Sequence, residues 1–277
     1  MRGHQSNFWI EKMAEILQVS RSGYYQFLQR PKRAIEESLL TKIKTIFHEN
    51  KGRYGAPRIH AELKKQNIKS SRYQVEKLMR MHNLSSTRKK KRVKTTIPLK
   101  NGKDLIKRDF KAEKPNQKWC SDISYLPTKK GFVYLAVILD LYSRKVVGGC
   151  VLEHMEQSLI LQALKQAMSR YGSGKGMILH SDRGGQYYAA AVEELLKRYA
   201  VHMSKGKVCY DNAVMESFFS TLKKELMRDK NQFKNLQEAQ LEVFEYVEIY
   251  YNKKRAHSTL GYKSPYEYEE EMKRLVE

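Results

Sequence analysis

Three carboxylates sit where a carboxylate needs a reason. Asp122 interrupts a run that is otherwise apolar or small, Trp119-Cys120-Ser121-Asp122-Ile123-Ser124-Tyr125. Asp182 closes an apolar run just before Gly184-Gly185, and Glu216 lies one turn inside a helical stretch over 212–227. Burying a carboxylate is costly unless it is paired or holds a metal. Three of them at strand and helix ends of one α/β layer suit a magnesium site, which wants few protein oxygens and leaves positions for water and phosphate. Taken singly, each has a plainer reading, with Asp122 and Asp182 as strand-end caps and Glu216 as a half-exposed helix residue. The helix favours the metal reading. At i, i+4 and i+7, Glu216, Ser220 and Lys223 share one face, while Met215, Phe218, Phe219, Leu222 and Leu226 form the apolar one.

The elements that must position these residues follow from periodicity. Strand patterns cover 119–126, 132–142 and 145–152, with a turn at 127–131. A helix over 158–171 carries the stripe Ile160, Leu161, Leu164, Ala167 and Met168. A strand over 177–181, a helix over 189–200 and a brief strand over 201–203 come next, and Asp211-Asn212 caps the helix that carries Glu216. That order is the order of a ribonuclease-H-like α/β layer, a mixed five-stranded sheet with flanking helices.

The front half is helical and strongly basic. The chain has 277 residues and a formal net charge of +23, of which residues 1–118 hold +20. A polyanion-binding front joined to a nearly neutral back assigns the two halves different work. Helical runs over 12–18 and 24–30 flank Val19-Ser20-Arg21-Ser22-Gly23, as in a helix-turn-helix or any two-helix hairpin. Further helices are expected over 38–50, 58–65 and 72–82, with Pro57 at a helix start, Ser70-Ser71 as a cap and Asn67 as a stop. Ile59, Leu63, Val75 and Leu78 supply their small core. The expected domains are a helix-turn-helix-like segment (1–34), a helical DNA-binding module (35–87), a basic linker (88–112), a catalytic core (113–245) and its C-terminal tail (246–277). Lys89, Lys90, Lys91 and Arg92 belong to a charge run read first as a solvated linker, second as a phosphate clamp.

Composition excludes several classes. Three cysteines (Cys120, Cys150, Cys209) without C-x-x-C spacing give neither a disulfide framework nor a zinc knuckle and read as small buried hydrophobes. The longest apolar stretch, 132–139, is too short for a bilayer, and the first residues lack the apolar core of a signal peptide. The expectation is a cytoplasmic, nucleoid-associated protein with no membrane partner.

The motifs carry a resemblance. The stretch 119–125 resembles the W-x-x-D-x-T/S-Y opening of integrase-core transposases, and His180-Ser181-Asp182-Arg183-Gly184-Gly185-Gln186-Tyr187 is similar to their H-S-D-x-G-x-Q-Y element. Asp211-Asn212-Ala213-Val214-Met215-Glu216-Ser217-Phe218-Phe219 with Leu222-Lys223 resembles D-N-A-x-x-E-S-F-x-x-x-L-K. Tyr251-Asn252, Arg255, His257-Ser258, Leu260-Gly261-Tyr262 and Ser264-Pro265 resemble the family's closing segment, and 19–25 and 52–59 its amino-terminal modules. The chain is thus identified as a member of the second-frame (OrfB) transposases of bacterial insertion sequences, within the retroviral integrase superfamily.

The resemblance implies a DDE polynucleotidyl transferase that cuts and joins DNA strands with two Mg²⁺ (or Mn²⁺). Asp122 would bridge both ions, and Asp182 and Glu216 would each complete one. Implied partners are double-stranded DNA (element ends and target), further copies of the chain on DNA, and an upstream-frame fusion partner. Arg21, Arg58, Lys223, Lys224, Arg255 and His257 are expected at phosphates. Ser124 and Tyr125 are structural, since no covalent intermediate is needed. His180 either orients Asp182 or packs in its strand, and Tyr187 and Asn212 either brace the site or meet DNA. The interval between Asp182 and Glu216, 33 residues, is two shorter than the family's habit, with Glu216 still expected to reach the metals. The competing readings are a catalytically inactive DNA-binding regulator and a ribonuclease-H-like nuclease.

Overall fold

The computed structural model describes residues 1, 7–29, 34–86, 104–172, 176–181, 187, 189–206 and 209–275. The chain divides into two compact units, 1–86 and 87–277.

The first unit is all helical: α1 (Ile10–Ile16), α2 (Arg21–Gln29), α3 (Ala34–Glu49), α4 (Ala56–Lys65) and α5 (Arg72–Met81). Ser20 accepts the Gly23 N–H and so opens α2. α4 begins with Pro57, where the missing N–H costs nothing. Asn67, at φ +57°, takes the left-handed conformation just beyond the end of α4. Ser71 and Gln74 form a reciprocal capping box on α5. The expected core of Ile59, Leu63, Val75 and Leu78 is buried, joined by Ile43, Ile46, Phe47, Tyr54 and Met79.

The second unit is built on β1 (Lys118–Thr128), β2 (Gly131–Asp140), β3 (Val146–Leu152), β4 (Ile178–Ser181) and β5 (His202–Lys205) in the order β3-β2-β1-β4-β5. β1, β2 and β3 are antiparallel, and β4 and β5 run parallel to β1. α6 (Gln157–Tyr171) and α7 (Ala190–Arg198) cover one face. Gly148 permits the close approach of α6, because a Cβ there would stand 2.4 Å from the Ala163 carbonyl oxygen. Leu161 is only partly buried, and Leu159 and Ala163 complete the stripe in its place.

Strand alternation puts Trp119, Ser121 and Ile123 toward α6 and α7, and Cys120 and Asp122 on the opposite face. Leu139, the partner of Cys120, lines a cleft with α8 (Ala213–Leu226), so α8 lies on the face that carries Asp122. α9 (Leu236–Phe244) covers the same face farther out and runs on as a π-helical turn, Glu245–Tyr251. The segment expected as a tail is therefore helical, and α10 (Pro265–Arg274) ends it behind a Ser264–Glu267 capping box.

Two boundaries differ from expectation. Pro127 belongs to β1 rather than to a turn, because its carbonyl accepts the Phe233 N–H at 2.9 Å and Thr128 bridges Phe233. Residues 104–111, expected in the linker, pack on the core. Ile106 is buried, Leu105 N–H donates to Ser204 Oγ at 2.9 Å, and Lys118 Nζ binds Asp109 Oδ2 at 2.7 Å and the Lys111 carbonyl at 2.8 Å. The edge strand β3 is finished by side-chain amides. Gln166 accepts the Gly149 N–H, Gln240 donates to the Val151 carbonyl, and Asn252 bonds both the N–H and the carbonyl of Val146.

Candidate active site

Asp122 is half-buried at the middle of β1, opposite Val137, and one of its carboxylate oxygens accepts the Ile123 N–H at 2.8 Å. Glu216 is half-buried in the first turn of α8, on the same side of the sheet. Asp182 lies outside the described residues. The residue before it, Ser181, pairs with Ser121, the residue before Asp122, in the parallel β1–β4 ladder.

Two contacts brace this strand, and the first of them seats the start of α8 against it. Asn212 Nδ2 donates to the Ser121 carbonyl at 3.1 Å, and Tyr187 Oη shares a 2.7 Å hydrogen bond with Ser121 Oγ. Both Asn212 and Tyr187 thus brace β1. Asn212 makes no side-chain cap, contrary to expectation, because its amide is turned to the strand and the chain enters α8 through a 3₁₀ turn, Cys209–Asn212. Asn212 Oδ1 is buried with no hydrogen-bond partner among the described residues.

A second set of bonds fixes that turn. Buried His180, on β4, contacts the Asp211 carbonyl through Nε2 at 2.8 Å and Ser204 Oγ through Nδ1 at 2.9 Å. A carbonyl only accepts, so Nε2 carries the proton and Nδ1 accepts from the serine hydroxyl. Ser204 Oγ in turn accepts the Leu105 N–H. Asp211 is buried, and Arg108 Nε donates to its carboxylate at 2.8 Å. These two ring bonds of buried His180 fasten β4 to β5 and to the turn before α8. Gly206, which follows β5, has room for no side chain, since a Cβ would lie 2.9 Å from the Asp211 Cβ.

The donor set around Asp122 is oxygen. Cys120 shares its face, but burial pushes that thiol up to about 12, so it stays protonated and offers no thiolate. Carboxylates with an orphaned amide oxygen close by fit a hard cation such as Mg²⁺ or Mn²⁺. Among the described residues no three His, Cys, Asp or Glu side chains group as metal ligands.

The expected phosphate contacts divide. Lys223 Nζ stands 4.1 Å over the Tyr125 ring on the Glu216 side of α8, and Lys224 beside it is half-buried. His257 bonds Thr259 Oγ1 through Nδ1. Arg58 lies over the Tyr54 ring, and exposed Arg21 pairs with Glu11. Lys89, Lys90, Lys91 and Arg92 lie outside the described residues. Arg255 is a correction: it is buried and binds Glu225 through Nε at 2.9 Å and Nη2 at 3.0 Å, with Tyr246 Oη donating to the same carboxylate at 2.9 Å. Burial opposes its charge and Glu225 more than offsets that, so its pKa is raised. Arg144, at the β2–β3 turn, drew no attention in the sequence; its left-handed backbone was the missing signal.

The sheet order and the face shared by Asp122 and α8 define an integrase-core protein preceded by a helical domain. Residues 112–208 and 216–272 match two integrase core domain families, and residues 34–92 match the HTH-like domain family. The transposase for insertion sequence element IS904 of Lactococcus lactis is 41% identical over 87% of this chain and 98% of its own length. Transposase InsF for insertion sequence IS3A of Escherichia coli is 37% identical over 96% of each. The catalytic core domain of BIV integrase is 23% identical with a TM-score of 0.43, over 58% of this chain and 99% of that one. The chain belongs to the insertion-sequence transposases of the IS904 and IS3 kind.

Proposed function

We propose that Asp122, Asp182 and Glu216 are the DDE ligands of this transposase and that it cleaves and joins DNA strands with two Mg²⁺ or Mn²⁺ ions. The observation that carries this is the seating of α8: Asn212 ties its first turn to the Ser121 carbonyl, so Glu216 and Asp122 share one side of the sheet. The register Ser121↔Ser181 supports Asp182 as the third member, since each aspartate directly follows a paired serine. When bound, the ions would activate the attacking hydroxyl or water and stabilise the leaving oxygen of an in-line displacement.

The chain's own residues do the rest. Asp122, Asp182 and Glu216 would supply the oxygen ligands, and the Ser121–Tyr187 and His180–Asp211 bonds hold strand and turn still, as ligand geometry requires. Lys223 and Lys224 neutralise phosphates of the strand lying at Glu216. The two-residue-shorter link is absorbed at Gly206, where the chain closes on Asp211 without a side chain between them. The working assembly is several copies on element ends and target DNA in the cytoplasm, with an upstream-frame fusion partner.

Asp122→Asn, Asp182→Asn and Glu216→Gln should each abolish metal-dependent cleavage and strand transfer while DNA binding persists. Near wild-type joining by any one of them removes that residue from the set. Cutting without joining by the parent would make it a nuclease, and binding without cutting a regulator. A variant regaining two residues after Met203 tests the link: an active variant beside an inert parent would show the short link to be incompetent.

A further inference from the structure

The cleft that Leu139 shares with α8 opens on the flank of that helix. It encloses about 240 Å³ between the first turns of α8, the β2–β3 turn and the 257–259 segment. Ser217 and Thr221 face it, about 100–140° around the helix from Glu216. Leu139, Phe218 and Tyr251 form an apolar wall, and no carboxylate lines it. Its charged residues are Arg144 and Arg255, with His257 beside them, and Arg255 is committed to Glu225.

Arg144 is differently placed. Among the described residues its one hydrogen bond is from Nη2 to the Phe110 carbonyl at 3.3 Å, and no carboxylate lies within ion-pair reach. The nearby Asp140 is taken up by the N–H groups of Asn116 and Ser143 and by Ser143 Oγ. The residue is half-buried, and burial lowers its pKa by more than nearby Tyr251, Cys120 and Asp140 raise it, the mark of a cation whose lost water is only partly replaced. Its backbone sits at φ +60°, a conformation that costs an arginine free energy and is kept only where its surroundings impose it. A half-buried guanidinium without a carboxylate, among hydroxyls that donate hydrogen bonds, is complementary to a phosphate. The apolar wall beside it suits a deoxyribose.

We propose that this cleft receives a backbone phosphodiester of the bound DNA, with Arg144 as its cation and Ser217 and Thr221 as hydroxyl donors. The strand would then pass from Glu216 and Lys223 around the first turns of α8, a path about one helix diameter long. The inference rests on the DNA-joining reading above.

The test is a salt titration of full-length protein binding to a random-sequence duplex. Arg144→Ala should bind more weakly, with a log–log salt slope shallower by about 0.9, one neutralised phosphate. Thr221→Glu sets a carboxylate in the cleft without touching the Phe110 contact and should lose at least as much. Both are to melt like the parent, and Thr221→Glu decides if Arg144→Ala does not. Parental slopes in both variants would overturn the proposal. So would stabilisation of the parent, but not of Arg144→Ala, by inorganic phosphate alone with the DNA slopes unchanged, which would mean a small-anion site. A parent with a flat salt response would sink the DNA reading itself, which is a different result from variants that match a steep parent.

Discussion

Arg255 shows how far a residue's neighbours in the chain mislead about its work. In sequence it stands among Lys253, Lys254 and His257 and reads as one more phosphate contact. In the fold it meets Glu225 from another helix, and no spacing rule links residues thirty apart. Removing one partner of a buried ion pair leaves the other charge stranded, so Arg255→Ala should cost about 3–5 kcal/mol of stability. Urea unfolding of the variant measures it; a loss below about 1 kcal/mol would mean that the pair is solvated. Asp122 stands out in the sequence for the opposite reason, since a carboxylate inside an apolar strand is conspicuous without its partners. Cys120 was legible as well, being buried with its pKa pushed up to about 12, whereas Cys150, expected to be buried too, is only half-buried beside Gln162 on the edge strand, and the Cys209 side chain lies outside the described ones. A group raised that far is neutral at every pH below it, so iodoacetamide should leave Cys120 unlabelled in the native protein at pH 8 and label it after denaturation.

Elements were readable where one period dominated. The succession of strands and helices along the chain followed from their patterns, and the α8 stripe of Met215, Phe218, Phe219, Leu222 and Leu226 is buried as spaced. What escaped notice was set by contacts from elsewhere. Pro127 reads as a turn until Phe233 supplies a partner for its carbonyl, and Asn212 reads as a cap until Ser121 claims its amide. The Leu105–Ser204–His180–Asp211 chain joins four segments, each polar residue unremarkable alone. Ser204→Ala breaks it at its centre and strands the Leu105 N–H and His180 Nδ1. A cost of about 1–3 kcal/mol is expected, with strand transfer falling further than melting alone explains. Gly206→Ala should do likewise, because its Cβ must displace Asp211 just before α8. Full activity in both variants would show that the turn before α8 tolerates movement.

Across the whole molecule, charge forecast the division better than it forecast the boundary. Most of the net charge precedes residue 119, yet the compact units divide at 86, and residues 104–111 pack with the core because Ile106 and Lys118 hold them there. Residues 1–103 alone should therefore bind duplex DNA with a slope of about −0.9 per phosphate neutralised, measured by gel shift across a salt series. A flat response would relocate DNA affinity to the core. The amides along β3 carry a different consequence. An exposed sheet edge is a template on which a second chain can lay a strand, and unchecked addition of that kind ends in fibrils. Gln166, Gln240 and Asn252 occupy backbone groups of Gly149, Val151 and Val146 that an incoming strand would need. A neighbouring chain pressed against this edge would therefore meet side-chain amides rather than open backbone at these three residues, and could part again without any sheet being torn.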